Sequence, residues 1–190
     1  LELAKMNPKV VGITPAMASG CGMNRFAKEM PERFYDVGIE EEHAVTFAAG
    51  LAAGGMKPFC NIYSSFSQRA YDQIIHDVAL QNLPVVLCLD RGGIVGEDGP
   101  THHGCYDMAV YRTIPGAVIA VPKDEVELKD MMYSAMLSED GPYIIRYPRG
   151  YGEGAPWQEH EFSTMKTGKG ELVMKGEHVA VIACGPVVNR

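Results

Sequence analysis

Three consecutive glutamates, Glu40, Glu41 and Glu42, followed by His43, stand directly before a small-residue apolar run in DVGIEEEHAVTFAAGLAAGG (36–55). Acids in a first helical turn complement the positive end of the helix dipole, each worth ~0.3–1 kcal/mol, and that surface role explains many such runs. Successive helical residues point in different directions, however, so at least one of the three should face the body of the fold. A carboxyl desolvated there can hold or donate a proton near neutrality.

Three other stretches carry chemistry. IYSSFSQRAYDQ (62–73) places Tyr63 and Phe66 at a strand-to-helix turn, with Arg69 one turn on. The aromatics are either core, with Arg69 capping a neighbour, or a stacking face for a flat ring. DRGGIVGEDGPTHHGCYD (90–107) carries Arg91, Asp98, His102 and His103 among glycines that permit close backbone approach to a ligand. Its GEDG lacks the alternating oxygen ligands of a calcium loop, and the two adjacent histidines lack the spaced partners of a zinc site, so no metal ligand is assigned. RYPRG (146–150) offers two arginines, whose forks suit carboxylate or phosphate. Arg146 equally suits a structural ion pair, and Arg149, beyond the proline, is the freer. His76 and Asp77, inside a helical stretch, read as structural.

Short β-rich runs alternate with helical patterns, which predicts an α/β fold of three layers, α/β/α, with a mostly parallel sheet. Strands are expected at 9–15, 34–38, 57–63, 84–90, 117–122 and 143–148. Helices are expected at 23–30, from about Glu42 to Ala53, over 64–80, and from a cap at Asp124 to about Leu137. In such sheets functional groups gather beyond the C-terminal strand ends, which puts 38–41, 63–66, 91–103 and 146–149 on one rim. Residues 1–150 are thus one domain. Residues 151–177, rich in Gly, Lys and Glu, read as a linker or surface hairpin, and 178–190 as the start of a following domain, with its first strand at 178–185. The ragged ends suggest a piece of a longer protein.

The net charge of −7 disfavours nucleic acid and anionic membranes as partners, since both need a basic face. No apolar run approaches the ~20 residues of a membrane span. Five scattered cysteines, of which Cys60, Cys88 and Cys184 lie in strand-like runs, suit a reducing compartment rather than a disulfide framework. The expectation is a bacterial cytoplasm, with a plastid as the lesser alternative.

The order of these motifs, from DVGIEEEH through YSSFSQRAYDQIIHD and DRGGIVGEDGPTHHGCYD to IRYPRG, resembles the central, pyrimidine-binding domain of the 1-deoxy-D-xylulose-5-phosphate synthases. These belong to the transketolase-like thiamine diphosphate superfamily, and the resemblance covers roughly residues 9–150. It implies a thiamine diphosphate-binding pyrimidine-domain fold. It implies that Glu41 is the glutamate that hydrogen-bonds N1′ of the cofactor's aminopyrimidine and starts the proton relay, and that Phe66 stacks on that ring with Tyr63 and Arg69 lining the pocket. Arg91 and Arg149 match arginines holding the acceptor's phosphate, Tyr63 lies beside the substrates, and Asp98 and His102 match residues that contact substrate hydroxyls or relay protons. His103 matches a variable position, and Glu42 stands where many relatives have glutamine.

The implied reaction condenses pyruvate with D-glyceraldehyde 3-phosphate with loss of CO2, in a homodimer that also needs Mg2+. The GDG motif that builds the Mg2+ and diphosphate site is missing from these residues. The resemblance therefore puts the metal ligands on an absent N-terminal domain and implies that this piece alone is inactive. Transketolase, the β-chain of a 2-oxoacid dehydrogenase and a non-catalytic pyrimidine-domain module are the alternatives.

Overall fold

The computed structural model describes residues 1–190. Its centre is a six-stranded sheet in the order β2-β1-β3-β4-β6-β5, with every neighbouring pair parallel. The strands are β1 (Val10–Thr14), β2 (Phe34–Asp36), β3 (Lys57–Tyr63), β4 (Val86–Asp90), β5 (Val118–Ala120) and β6 (Tyr143–Arg146). Each lies inside its expected run, shorter by a residue or more at most ends because a strand ends where its ladder does. The helices are α1 (Glu2–Met6), α2 (Asn24–Glu29), α3 (Glu41–Ala53), α4 (Ser64–Ser67), α5 (Tyr71–Gln73), α6 (Asp107–Tyr111) and α7 (Glu125–Leu137). The short α1 and α6 were not anticipated; five residues give too little periodicity to read.

Alternation along the strands builds two cores, one on each face. Cys60, Ile62, Leu87, Leu89 and Ile144 pack with Ala44, Val45, Ala48, Ile74, Val78 and Tyr111 on one side. Phe59, Val86, Cys88, Tyr143 and Ile145 pack with Leu3, Phe26, Met131 and Ala135 on the other. Burial on both faces explains why β4 reads as a continuous apolar run rather than an alternating one.

The expected 64–80 helix is not uniform. After α4 comes a 3-10 turn at Gln68–Ala70, then α5, then a π-helical stretch at Ile74–Ala79. The Ser67 hydroxyl donates to the Ser64 carbonyl at 2.7 Å and the Gln68 amide to the Ser65 carbonyl at 2.8 Å. Side chains that take carbonyls in this way compete with the regular ladder.

Asp124 caps α7 as expected, its carboxylate accepting from the Glu127 N–H at 2.9 Å. Asp124→Ala is expected to cost about 1 kcal/mol, the usual value of such a cap, as a lowered urea midpoint with an unchanged slope.

Residues 150–176 form no strand or helix. Glu125, Lys129, Asp130 and Ser134 of α7 nevertheless hold the stretch 154–165 by its backbone, through Gly154 N, the Trp157 and His160 carbonyls, Ser163 N and Met165 N at 2.8–3.1 Å. The strand expected at 178–185 does not form. A ladder needs a partner, none lies beside this segment, and Val179, Val181 and Ile182 are exposed. Cys184 is accordingly exposed, whereas Cys60 and Cys88 are buried as small core residues.

Candidate functional site

Strand register sets the rim. Tyr63 is paired with Asp90, and Leu89 with Arg146, so β3, β4 and β6 end at one level. The chain runs outward from β1 to β2 and returns to place β3 on the other side of β1, which makes a topological switch point, the usual location of a ligand crevice in such sheets. The loop after β1 closes this crevice: Met17 Sδ accepts from the Tyr63 N–H at 3.2 Å, and Asp36 accepts from Ala16 N at 2.8 Å and Gly38 N at 3.1 Å.

The three glutamates separate at the start of α3. Glu40 precedes the helix and is exposed, Glu42 is half-buried, and Glu41 is 2% exposed. Ala44, Val45, Ala48 and Ala49 are small enough for α3 to lie close on the sheet, which carries Glu41 inward. Its Oε1 accepts from Arg69 Nη1 at 3.0 Å. That guanidinium stays about half exposed, so the pair is buried on the carboxylate side only.

Beside it stands an aromatic wall. Tyr63 and Phe66 are stacked with centroids 5.8 Å apart, and His102 meets the Phe66 ring edge-on at 4.9 Å. Arg69 covers Phe66 at 5.1 Å and Arg91 covers Tyr63 at 3.9 Å, both within cation–π range. Burial raises the Tyr63 hydroxyl above its ordinary pKa.

Arg91 opens the glycine-rich loop with φ +60°, a left-handed conformation rare for a non-glycine residue. Its guanidinium contacts Asp90 at 3.1 Å and Asp98 at 3.2 Å and donates to the Gly20 carbonyl at 2.8 Å. Burial also lifts the Asp90 carboxyl above its usual range, against the opposing pull of Arg91. Asp98 bridges both arginines, since Arg149 Nε lies 3.3 Å from the same oxygen. His103 fastens the loop to itself, Nδ1 accepting from the Val95 N–H at 3.2 Å.

Glu41, Arg69, Phe66, His102, Tyr63, Arg91, Asp98 and Arg149 therefore form one continuous chain of contacts along the rim. Arg146 takes the structural alternative, donating to Asp107 Oδ2 at 2.7 Å. His76 lies away from the rim on the helix surface, paired with Asp72 at 2.9 Å, while Asp77 accepts from the Thr46 hydroxyl.

Sequence reasoning missed the foundation beneath these residues. Asp107, buried, accepts from Arg146 and from the Ser64 hydroxyl at 2.7 Å, while the Tyr111 hydroxyl donates to Ser67 at 2.6 Å. One network thus ties the helix bearing Phe66 to the base of the loop bearing Asp98 and His102. The available signal was Asp107 itself, an unassigned acid closing a loop opposite an arginine at a strand end. Gly104 is pressed into the same spot, where an added Cβ would overlap the Arg91 carbonyl and the Ser64 hydroxyl. Gly104→Ala is expected to cost about 1–3 kcal/mol by overpacking and to detach the loop, seen as faster amide exchange over 91–106.

A buried carboxylate acceptor beside stacked aromatic faces suits a flat nitrogenous ring, and the arginines suit an anion. No group of three or more His, Cys, Asp or Glu side chains is arranged to hold a metal ion, and no helix is long and apolar enough to cross a membrane.

Residues 1–153 match the model of the transketolase pyrimidine-binding domain family. The whole chain is 57% identical to a protein of Bacteroides thetaiotaomicron named 1-deoxy-D-xylulose-5-phosphate synthase, covering 29% of that protein. Similarly named proteins of Geobacter sulfurreducens and Gloeobacter violaceus are 57% and 52% identical over 98% and 100% of the chain. The chain thus spans about 29% of the length of the first of these curated relatives. Among solved structures, a split-gene transketolase in an inactive β4 tetramer is 31% identical with a TM-score of 0.67, covering 76% of this chain and 46% of that one. Transketolase from Leishmania mexicana, 24% identical with a TM-score of 0.68 over 76% of this chain and 23% of that one, shares the fold. The sheet order and these similarities agree: the chain belongs to the transketolase pyrimidine-binding domain family.

Proposed function

We propose that this chain is the pyrimidine-binding part of a 1-deoxy-D-xylulose-5-phosphate synthase, a thiamine diphosphate-dependent transferase joining pyruvate to D-glyceraldehyde 3-phosphate with loss of CO2. The observation that carries the reading is Glu41, the one buried carboxylate at the start of α3, set beside Phe66 and Tyr63. The relatives at 52–57% identity favour this assignment over transketolase, a 2-oxoacid dehydrogenase β-chain or a non-catalytic module.

These residues fit the aminopyrimidine end of thiamine diphosphate. The donor set is one buried carboxylate for a ring nitrogen and an aromatic face for the ring. Glu41 would hold a proton at the ring nitrogen, Phe66 would fix the ring plane, and Arg69 would keep the carboxylate oriented through Oε1. When bound, the cofactor supplies the carbanion chemistry that cleaves pyruvate. Arg149 would bind the acceptor's phosphate, with Arg91 fixed beside it through the shared Asp98, and Asp98 and His102 would orient hydroxyls and pass protons. Mg2+ and the diphosphate would be held outside residues 1–190, in a homodimer of the full-length protein. The bacterial relatives and five free thiols support a cytoplasmic setting.

The test is turnover of pyruvate plus D-glyceraldehyde 3-phosphate by the full-length protein with thiamine diphosphate and Mg2+. The expected result is CO2 and 1-deoxy-D-xylulose 5-phosphate in equal amounts, with no turnover by residues 1–190 alone. Ketol transfer between sugar phosphates without pyruvate would replace the reading with transketolase.

A further inference from the structure

We propose that Glu97 is a specificity-determining residue, a displaceable counter-ion that occupies Arg149 until the phosphate of the acceptor takes its place. This rests on the synthase reading above, and it assigns to Glu97 a role that none of the site residues named so far fills.

Arg91 and Arg149 are not equivalent. Arg91 is committed: 13% exposed at its side chain, paired with both Asp90 and Asp98, donating to the Gly20 carbonyl and stacked on Tyr63. Arg149 is 36% exposed, and its contacts are longer, 3.3 Å to Asp98 and 3.5 Å to Glu97. It is therefore the arginine with a guanidinium free to turn toward an incoming anion.

Its two carboxylate partners differ in the same way. Asp98 is shared with Arg91 and is mostly buried, so it stays in place. Glu97 is 89% exposed at its side chain and makes no other ion pair or hydrogen bond. It sits in the 3-10 turn Gly96–Asp98, between Gly96 at φ +67° and Gly99 at φ +80°. Nothing packs on Glu97 that its departure would disturb.

An exposed ion pair of this length is weak, whereas a phosphate can take a guanidinium by two short charge-assisted bonds. A phosphorylated acceptor must displace Glu97 to make those bonds. An acceptor of the same carbon skeleton without phosphate gains nothing from the displacement. Glu97 thus lowers the affinity for phosphorylated acceptors selectively, and the effect weakens as salt screens the exposed pair.

The experiment measures KM for D-glyceraldehyde 3-phosphate and for unphosphorylated D-glyceraldehyde in the full-length enzyme, its E97Q variant and, as a comparator, R149Q. At low ionic strength E97Q is expected to lower KM for the phosphorylated acceptor by roughly two- to fivefold, the range of an exposed ion pair. The change should shrink on adding salt, with KM for D-glyceraldehyde unmoved. R149Q should raise KM for the phosphorylated acceptor alone. An unchanged or raised KM in E97Q, or equal shifts for both acceptors, overturns the role of Glu97. If R149Q moves neither KM, Arg149 is not the phosphate arginine and the proposal falls with it. Absence of synthase turnover in the unsubstituted enzyme overturns the functional reading itself.

Discussion

Glu41→Gln in the full-length enzyme is expected to lower turnover by about 10²- to 10⁴-fold, the range ascribed to a positioned acid–base group. Binding of thiamine diphosphate with Mg2+, followed by calorimetric titration, should change by less than about tenfold, because the amide keeps the shape of the carboxyl and part of its hydrogen bonding. The fold should survive as well. Arg69 loses its ionic partner, but its guanidinium is 54% exposed and can be hydrated. A collapse of binding together with turnover would mean that the carboxylate mainly holds the ring. Near-normal turnover would move the essential proton to Glu42, half-buried one position on, or to Glu40, exposed ahead of the helix. The separation of the three acids makes the experiment decisive, since only Glu41 is desolvated.

The rim was legible in the sequence because a parallel sheet leaves little freedom. Once β3, β4 and β6 are recognised as buried strands, their C-terminal ends must lie together, and Tyr63, Arg91 and Arg149 follow from chain order alone. The inward turn of one glutamate was legible from helix geometry, and its identity as Glu41 only through the family motif. The pairing of Asp107 with Ser64 was illegible for a different reason. Each belongs to a short element, and their meeting depends on a separation of 43 residues that no local period encodes. The irregular course of 64–80 was likewise hidden, because Ser67 and Gln68 are acceptable within a helix and only their hydrogen bonds reveal that they interrupt it. The expected strand at 178–185 shows the converse. Its β-branched composition is correct for a strand, but composition supplies a preference and only a neighbouring strand supplies the ladder.

Asp107→Ala is expected to be the most damaging single change to the fold of this region, costing about 3–5 kcal/mol by urea denaturation, as for other buried pairs broken from one side. The Asp107 side chain is 1% exposed and that of Arg146 17%, so removing the acid leaves a guanidinium largely shut off from water. The Ser64 hydroxyl loses its acceptor in the same step, and Arg146, which also donates to the Gly104 carbonyl at 3.3 Å, is free to leave the loop base. Asp107→Asn, which keeps an acceptor for Ser64 but removes the charge, should cost less. The decisive comparison is the double variant Asp107→Ala with Arg146→Met. If the damage comes from an unpaired buried cation, removing the cation as well restores part of the lost stability, and the double variant is more stable than the sum of the singles implies. Additive losses would mean that Asp107 acts through Ser64 and the Met108 N–H, to which its other oxygen is bound at 2.7 Å. Turnover of the same variants in the full-length enzyme separates the fold from the site: with the loop base loosened, Asp98 and His102 lose their fixed positions, and the loss of activity should exceed the fraction unfolded.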